Sequence, residues 1–168
     1  MAADIKIRPV KEADLESLTD AINSVCHEKW YVATVEGFSL EQSRGFLQKA
    51  LEHSWPYLVA VEKDHIVGWC DITPNTKTGF THVGRLGMGV RREHRGKGLG
   101  QRLLTACLSL AREMGLEKVE LEVYSDNIAA IRLYERHGFK PEGVKKHARK
   151  FEGKYQDIQL MALLLNGK

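Results

Sequence analysis

Cysteine is scarce in this sequence: Cys26, Cys70 and Cys107 are widely separated and odd in number. No pair has metal-ligand spacing, so a disulfide framework and a zinc site are both excluded as expectations, and no metal is predicted. Such usage points to a reducing cytoplasm. Long hydrophobic runs are also missing. None approaches the roughly 20 residues needed to span a bilayer, so no membrane partner is expected. Charge of one sign is not in surplus either. Lys+Arg number 25 against 22 Asp+Glu, a net charge of +3, which is not the balance of a polyanion binder. The basic segments lack interleaved aromatic residues on which bases could stack, so nucleic acid is not an expected partner. The start, Met1-Ala2-Ala3-Asp4-Ile5, has no charged segment followed by an apolar one, and no signal peptide is predicted. Asp4 and Glu12 speak equally against a transit peptide. Repeats, linkers and low-complexity segments are absent.

What is present fits one soluble domain. Hydrophobic residues make up 43% and charged residues 28% of 168, enough to bury a core. Ile5–Arg8 alternates and stops at Pro9, as a short strand does. Leu15, Leu18, Ile22 and Val25 recur at helical spacing between Lys11 and Cys26. Residues 27–37 break that period. A second helix is predicted to open at Ser39, with Gln42 three residues on in a capping box. Two apolar runs, 57–61 and 66–72, flank Lys63-Asp64 as a hairpin. A strand is expected over 81–90, and Gly84, Gly87 and Gly89 within it mark a bulge or the close approach of a backbone or ligand. A long helix over 98–114 follows, with Gly115 as its cap. Val119, Leu121 and Val123 then predict a strand, residues 127–137 a helix ended by Gly138, and Ile158–Leu164 a final strand. The order predicts an α/β domain with a mixed sheet and helices on both faces.

The segment Gly87-Met88-Gly89-Val90-Arg91-Arg92-Glu93-His94-Arg95-Gly96-Lys97-Gly98-Leu99-Gly100 carries the most chemistry. A strand runs into a basic, glycine-rich turn that opens a helix. The first N–H groups of a helix lack internal partners and, with the helix dipole, form an anion site. Gly96, Gly98 and Gly100 would let a pyrophosphate approach the backbone, and Arg91, Arg92, Arg95 and Lys97 add positive charge. A Walker A loop is ruled out, because Gly98 rather than Ser or Thr follows Lys97. A Rossmann fingerprint fits poorly, because the pattern is G-x-G-x-G past mid-chain. The plain alternative is a glycine-rich turn that merely starts a helix.

A second motif follows the 119–123 strand: Ser125-Asp126-Asn127-Ile128-Ala129-Ala130-Ile131-Arg132-Leu133-Tyr134-Glu135-Arg136-His137-Gly138-Phe139. With Arg95, Gly98 and Gly100 in R/Q-x-x-G-x-G/A, and Asn127, Ala130, Tyr134, Gly138 and Phe139 in N-x-x-A-x-x-x-Y-x-x-x-G-F, the chain resembles the GNAT superfamily of N-acetyltransferases. The resemblance runs from Ile5 to Leu165 and implies one N-acetyltransferase domain over 1–168, with a splayed strand pair in its sheet. It implies acetyl-coenzyme A as cosubstrate and an amine as acceptor. Met88, Gly89 and Val90 match the stretch that bonds the pantetheine arm, where an N–H can face the thioester oxygen. Arg95, Gly96, Lys97, Gly98, Leu99 and Gly100 match the pyrophosphate cradle. Asn127 matches a coenzyme contact, and Asn also suits a helix N-cap. Tyr134 matches the acid that protonates the departing thiolate; its other reading is a core tyrosine.

The general base is not legible. Members of this family often carry a carboxylate on the fourth strand, but Thr81-His82-Val83-Gly84-Arg85-Leu86 has none. His82 is the nearest titratable candidate, against a merely structural histidine. Trp30, Tyr31 and Glu36 lie where the resemblance puts the acceptor pocket. Gly153–Met161 resembles G-x-Y/W-x-D-x-x-x-M, found in members acting on amino acids and their analogues, polyamines and protein N-termini alike. Lys145, Lys146, His147, Arg149, Lys150 and Lys154 read as a solvated loop, or as an attractor for an acidic acceptor or the coenzyme's 3′-phosphate. A small-molecule amine such as an amino acid is the favoured acceptor, because no appended domain holds a macromolecule. A protein N-terminus, or coenzyme binding without turnover, are the alternatives. The resemblance leaves a homodimer open by analogy.

Overall fold

The computed structural model describes residues 4–166. Among them are four helices and seven strands, β1 (Lys6–Pro9), β2 (Tyr57–Glu62), β3 (His65–Pro74), β4 (Val83–Val90), β5 (Lys118–Tyr124), β6 (Lys140–Phe151) and β7 (Lys154–Leu164), the strands forming one mixed sheet of order β1-β2-β3-β4-β5-β7-β6. By its internal contacts the chain falls into two compact units, Met1–Thr73 with Gly87–Met114, and Pro74–Leu86 with Gly115–Lys168.

In the first unit, β1 (Lys6–Pro9) pairs antiparallel with β2 (Tyr57–Glu62), and β2 pairs antiparallel with β3 (His65–Pro74). The hairpin turn falls at Lys63 and Asp64, both with positive φ. The helix expected from Lys11 begins later. Asp14 accepts from Arg8 Nη1 and Nη2 at 2.7 and 2.8 Å and from the Lys11 N–H at 2.9 Å, which holds residues 12–14 in a tight turn. Helix α1 (Leu15–Cys26) then buries Leu15, Leu18, Ala21 and Val25 on one stripe. Helix α2 (Leu40–Glu52) opens with the predicted capping box: the Gln42 N–H donates to Ser39 Oγ, and Gln42 Oε1 accepts from the Ser39 N–H. Both helices pack with Tyr57, Val59 and Trp69 in one cluster.

Helix α3 (Leu99–Glu113) covers the opposite face. A Cβ on Gly68 would meet Leu103 at 3.1 Å, and Cys107 Sγ donates to the Cys70 carbonyl at 3.4 Å. Strand side chains alternate, so Gly68 and Cys70 face α3 while Trp69 and Asp71 face α1 and α2. Leu103, Leu104 and Cys107 are wholly buried. Each such leucine contributes about 1.5–3 kcal/mol of burial free energy.

Strand β4 (Val83–Val90) belongs to both units. Its first half pairs in parallel with β5 (Lys118–Tyr124) at Val83, Gly84 and Arg85. The strand expected from Thr81 thus starts two residues later, and Thr81 and His82 sit in a turn. In the second unit β5 alternates as predicted and pairs antiparallel with β7 (Lys154–Leu164) from Lys118↔Leu164 to Tyr124↔Ile158. Helix α4 (Ile128–Arg136) is followed by Gly138 at φ +89°.

The basic run read as a loop is a strand. β6 (Lys140–Phe151) pairs antiparallel with β7, with register shifts at Pro141/Gly143 and Lys145/Arg149. Nine of the twelve residues of β6 are exposed and none is buried, so it carries no apolar alternation for a sequence reading to find. Its charges suit the last strand of a sheet, where they discourage further pairing. Several are already engaged: Lys145 with Glu122 at 2.7 Å, Lys146 with Asp157 at 2.9 Å, and Arg149 with Gln156 at 2.7 Å. That weakens the reading of this run as an anion attractor.

Candidate active site

In the first unit, the second half of β4 delivers Met88, Gly89 and Val90 to the turn that opens α3. Gly96 and Gly98 have φ of +73° and +77°, and nothing lies within 4 Å of where their Cβ atoms would be. Only glycine adopts this left-handed conformation without strain. Gly98 is the N-cap of α3 and offers no side chain to its first N–H groups. Leu99 is buried beneath the turn, and Gly100 is half-buried. The result is an open helix N-terminus with a bare backbone, an arrangement suited to a pyrophosphate.

The basic residues around this turn do not act as one cluster. Arg91 bonds the Ile66 carbonyl and Asp20. Arg95 donates through Nε to the Val90 carbonyl at 2.8 Å and through both terminal nitrogens to Glu28, at 2.8 and 2.6 Å. Its guanidinium also lies over the Tyr31 ring, 4.8 Å from the centroid. Arg95 thus ties the segment after α1 to the turn before α3. Arg92 and Lys97 are exposed, and Lys97 Nζ donates to the Glu93 carbonyl.

The glycines of β4 answer to side chains on β3. A Cβ on Gly89 would stand 2.3 Å from Trp69 Cη2; the sequence suggested a bulge or the close approach of a backbone or ligand, and the close neighbour within the chain is an indole ring. A Cβ on Gly87 would stand 3.1 Å from Asp71 Oδ1. Asp71 is half-buried and faces Tyr57, its register partner on β2. Burial pushes its carboxyl up to about 7, against a weaker opposing pull from the Thr73 hydroxyl, which donates at 3.4 Å. Burial, then the nearby Asp71, pushes the Tyr57 phenol well up.

In the second unit, Asn127 is the N-cap of α4, its Oδ1 accepting from the Ala130 N–H at 3.2 Å. The capping alternative is therefore realised, and it leaves the amide's other end available to a ligand by chemistry. Tyr134 is buried near the end of the same helix, its ring 5.7 Å from that of Phe139. His82 is exposed in the turn before β4, where its carbonyl accepts from the N–H groups of Glu117 and Lys118.

Sequence reasoning missed Asp71 and Glu28. The signal for Asp71 was a single carboxylate inside the apolar run 66–72; its meaning depends on which β4 residue it faces. Glu28 carried no signal, because its partner lies 67 residues away. Among the described residues no group of three His, Cys, Asp or Glu side chains is placed to hold a metal ion, and no helix is long and apolar enough to cross a membrane.

The family model of the acetyltransferase (GNAT) family matches residues 20–139. The L-amino acid N-acyltransferase MnaT of Escherichia coli is 24% identical over 166 residues, covering 96% of this chain and 95% of its own. The crystal structure of a GNAT-family acetyltransferase from Streptococcus pneumoniae superposes with a TM-score of 0.90 at 28% identity, over 96% of this chain and 99% of that one. A ribosomal-protein-alanine N-acetyltransferase from Brucella melitensis superposes with a TM-score of 0.88 at 27% identity, over 95% and 99%. With its glycine turn and its Asn127–Phe139 motif both inside the matched residues, the chain belongs to the GNAT family and is an acetyl-coenzyme A-dependent N-acetyltransferase.

Proposed function

We propose that the protein transfers the acetyl group of acetyl-coenzyme A to the primary amine of a small molecule such as an amino acid, with the whole chain acting as one domain. One observation carries the coenzyme part: the open N-terminus of α3, bare at Gly96 and Gly98 and directly downstream of Met88–Val90. The backbone there can hold two phosphates with its N–H groups and needs no side chain to do so. The thioester supplies an activated acetyl group and a leaving thiolate. An N–H of the Met88–Val90 stretch takes up the charge that grows on the thioester oxygen. Tyr134 gives a proton to the departing sulfur, and Asn127 contacts the coenzyme near its reactive end while capping α4. A small acceptor is supported by the similarity to the amino-acid acyltransferase along nearly the full length of both chains. The similarity to the ribosomal-protein-alanine enzyme keeps a protein N-terminus as the second reading.

Gly98→Val tests the coenzyme site. No neighbour crowds that position in the fold, but a branched side chain would occupy the phosphate's place and strain a φ of +77°. Calorimetry should show coenzyme A binding lost while circular dichroism keeps the native spectrum. Unchanged affinity would overturn the assignment of the turn.

A further inference from the structure

We infer that Asp71 is the general base of this reaction, taking a proton from the acceptor's ammonium group beside the thioester; this rests on the acetyl-transfer reading above. Asp71 Oδ1 lies 3.1 Å from where a Gly87 Cβ would be, so it leans over the β4 backbone at Gly87. Gly87 is bonded to Met88, the first residue of the stretch that would hold the thioester arm. Successive Cα atoms are about 3.8 Å apart, so the carboxylate stands one residue from that stretch. His82 lies outside β4, in the turn that precedes it. By strand alternation Asp71 faces the same side as Trp69, the side packed against α1 and α2, and the resemblance puts the acceptor pocket at Trp30, Tyr31 and Glu36, between those helices in the chain.

Tyr57 faces Asp71 from β2, Gly87 faces it from β4 with no side chain, and Thr73 donates from its own strand. Cys70 is the neighbouring titratable group and points to the other face, where Cys107 of α3 bonds its carbonyl. Among these described neighbours there is no cation to hold Asp71 ionised, and its carboxyl is pushed up to about 7. A base is most effective when it titrates near the working pH.

The proton ledger closes. Asp71 removes one proton from the ammonium, and the freed nitrogen pair forms the C–N bond to the acetyl carbon. The C–S bond breaks, its electron pair goes to sulfur, and sulfur takes a proton from Tyr134. Of the three ammonium protons, one stays on the amide, one passes through Asp71 to solvent, and the third replaces the proton Tyr134 gave.

The test is the pH profile of kcat/KM for the wild type, Asp71→Asn and His82→Ala, with coenzyme A affinity measured for each. The wild type should rise through about pH 7. In Asp71→Asn that rise should vanish, and activity should drop roughly 10²–10⁴-fold, the usual worth of a general base. Coenzyme A affinity should stay within about threefold, a change of under one kcal/mol that a lost general base does not require. An unaltered rise in Asp71→Asn, or its loss in His82→Ala instead, would overturn Asp71 and leave the acetyl-transfer reading standing. A wild type without turnover on any amine would overturn both. Should Asp71→Asn fail to fold, ¹³C titration of the wild-type aspartates decides. A midpoint for Asp71 matching the kinetic rise supports the base role, and one in the ordinary carboxylate range near 3.9 overturns it.

Discussion

Arg95 places both of its terminal nitrogens on the carboxylate of Glu28, at 2.8 and 2.6 Å, in a two-pronged bond that joins residues on either side of the first unit's sequence. An arginine in the middle of a phosphate motif is thereby neutralised before any ligand arrives. On the proposed coenzyme site, the charges of this turn left to act on the phosphates are those of Arg92 and Lys97, which are exposed. Coenzyme A affinity should fall as salt rises, since such charges are screened over about 10 Å at 0.1 M. Arg92→Ala and Lys97→Ala should each flatten that dependence. Arg95→Ala should leave the slope near the wild-type value and lower stability, because it strands the Glu28 carboxylate. A slope that flattens most in Arg95→Ala would contradict this division.

Gly89 is held small by Trp69. With an alanine Cβ 2.3 Å from the indole, either the ring or the strand must move, and β4 has α3 packed behind its neighbour. Overpacking of this kind costs typically 1–3 kcal/mol. Urea denaturation of Gly89→Ala should show a loss in that range, while Gly96→Ala, which meets no neighbour and bears only the strain of its φ of +73°, should lose less. A loss at Gly89 no larger than that at Gly96 would contradict a steric requirement at Gly89.

Asp71 should make stability depend on pH in a definite direction. Its carboxyl titrates near 7 in the fold and near 3.8 when unfolded. The folded state therefore holds the extra proton between these values, and stability is lost as pH rises through that window. Above pH 7 the ionised carboxylate is a net cost. Asp71→Asn should be more stable than the wild type at pH 8, by about 1–3 kcal/mol, and should gain nothing below pH 4. Denaturation at both pH values checks this, and a variant less stable at pH 8 would contradict it.

Much of the fold was legible because local signals agreed with tertiary packing. The Ser39–Gln42 box, the 57–72 hairpin, the glycine turn into α3 and the Val119/Leu121/Val123 alternation each appear as read. β6 was not legible: an exposed strand rich in lysine has no hydrophobic period, and only its pairing with β7 makes it one. The start of α1 moved because Arg8 and the Lys11 N–H capture Asp14. Within the site, the glycine turn that opens α3 was readable from spacing, whereas its reading as a coenzyme site came from the resemblance carried by both motifs. Asp71 was not, because its role follows from lying across from Gly87, a register that no local pattern encodes.

Tyr134→Phe removes a hydroxyl and keeps the ring that packs near Phe139. With Tyr134 as the general acid, kcat should fall roughly 10²–10⁴-fold while the Kd for coenzyme A changes little. A thiolate leaves fairly well unaided, so single-turnover measurement should first show chemistry to be rate-limiting. Near wild-type kcat under that condition would leave Tyr134 as a packing residue.

The most direct measurement is thiol release from acetyl-coenzyme A in the presence of L-amino acids, aliphatic amines, and a peptide with an N-terminal alanine, with products identified by mass. Thiol release should depend on a small amine and match, mole for mole, an N-acetylated product, with the peptide a poorer acceptor. Coenzyme A binding without amine-dependent thiol release, or acetylation of the peptide alone, would contradict acetyl transfer to a small amine.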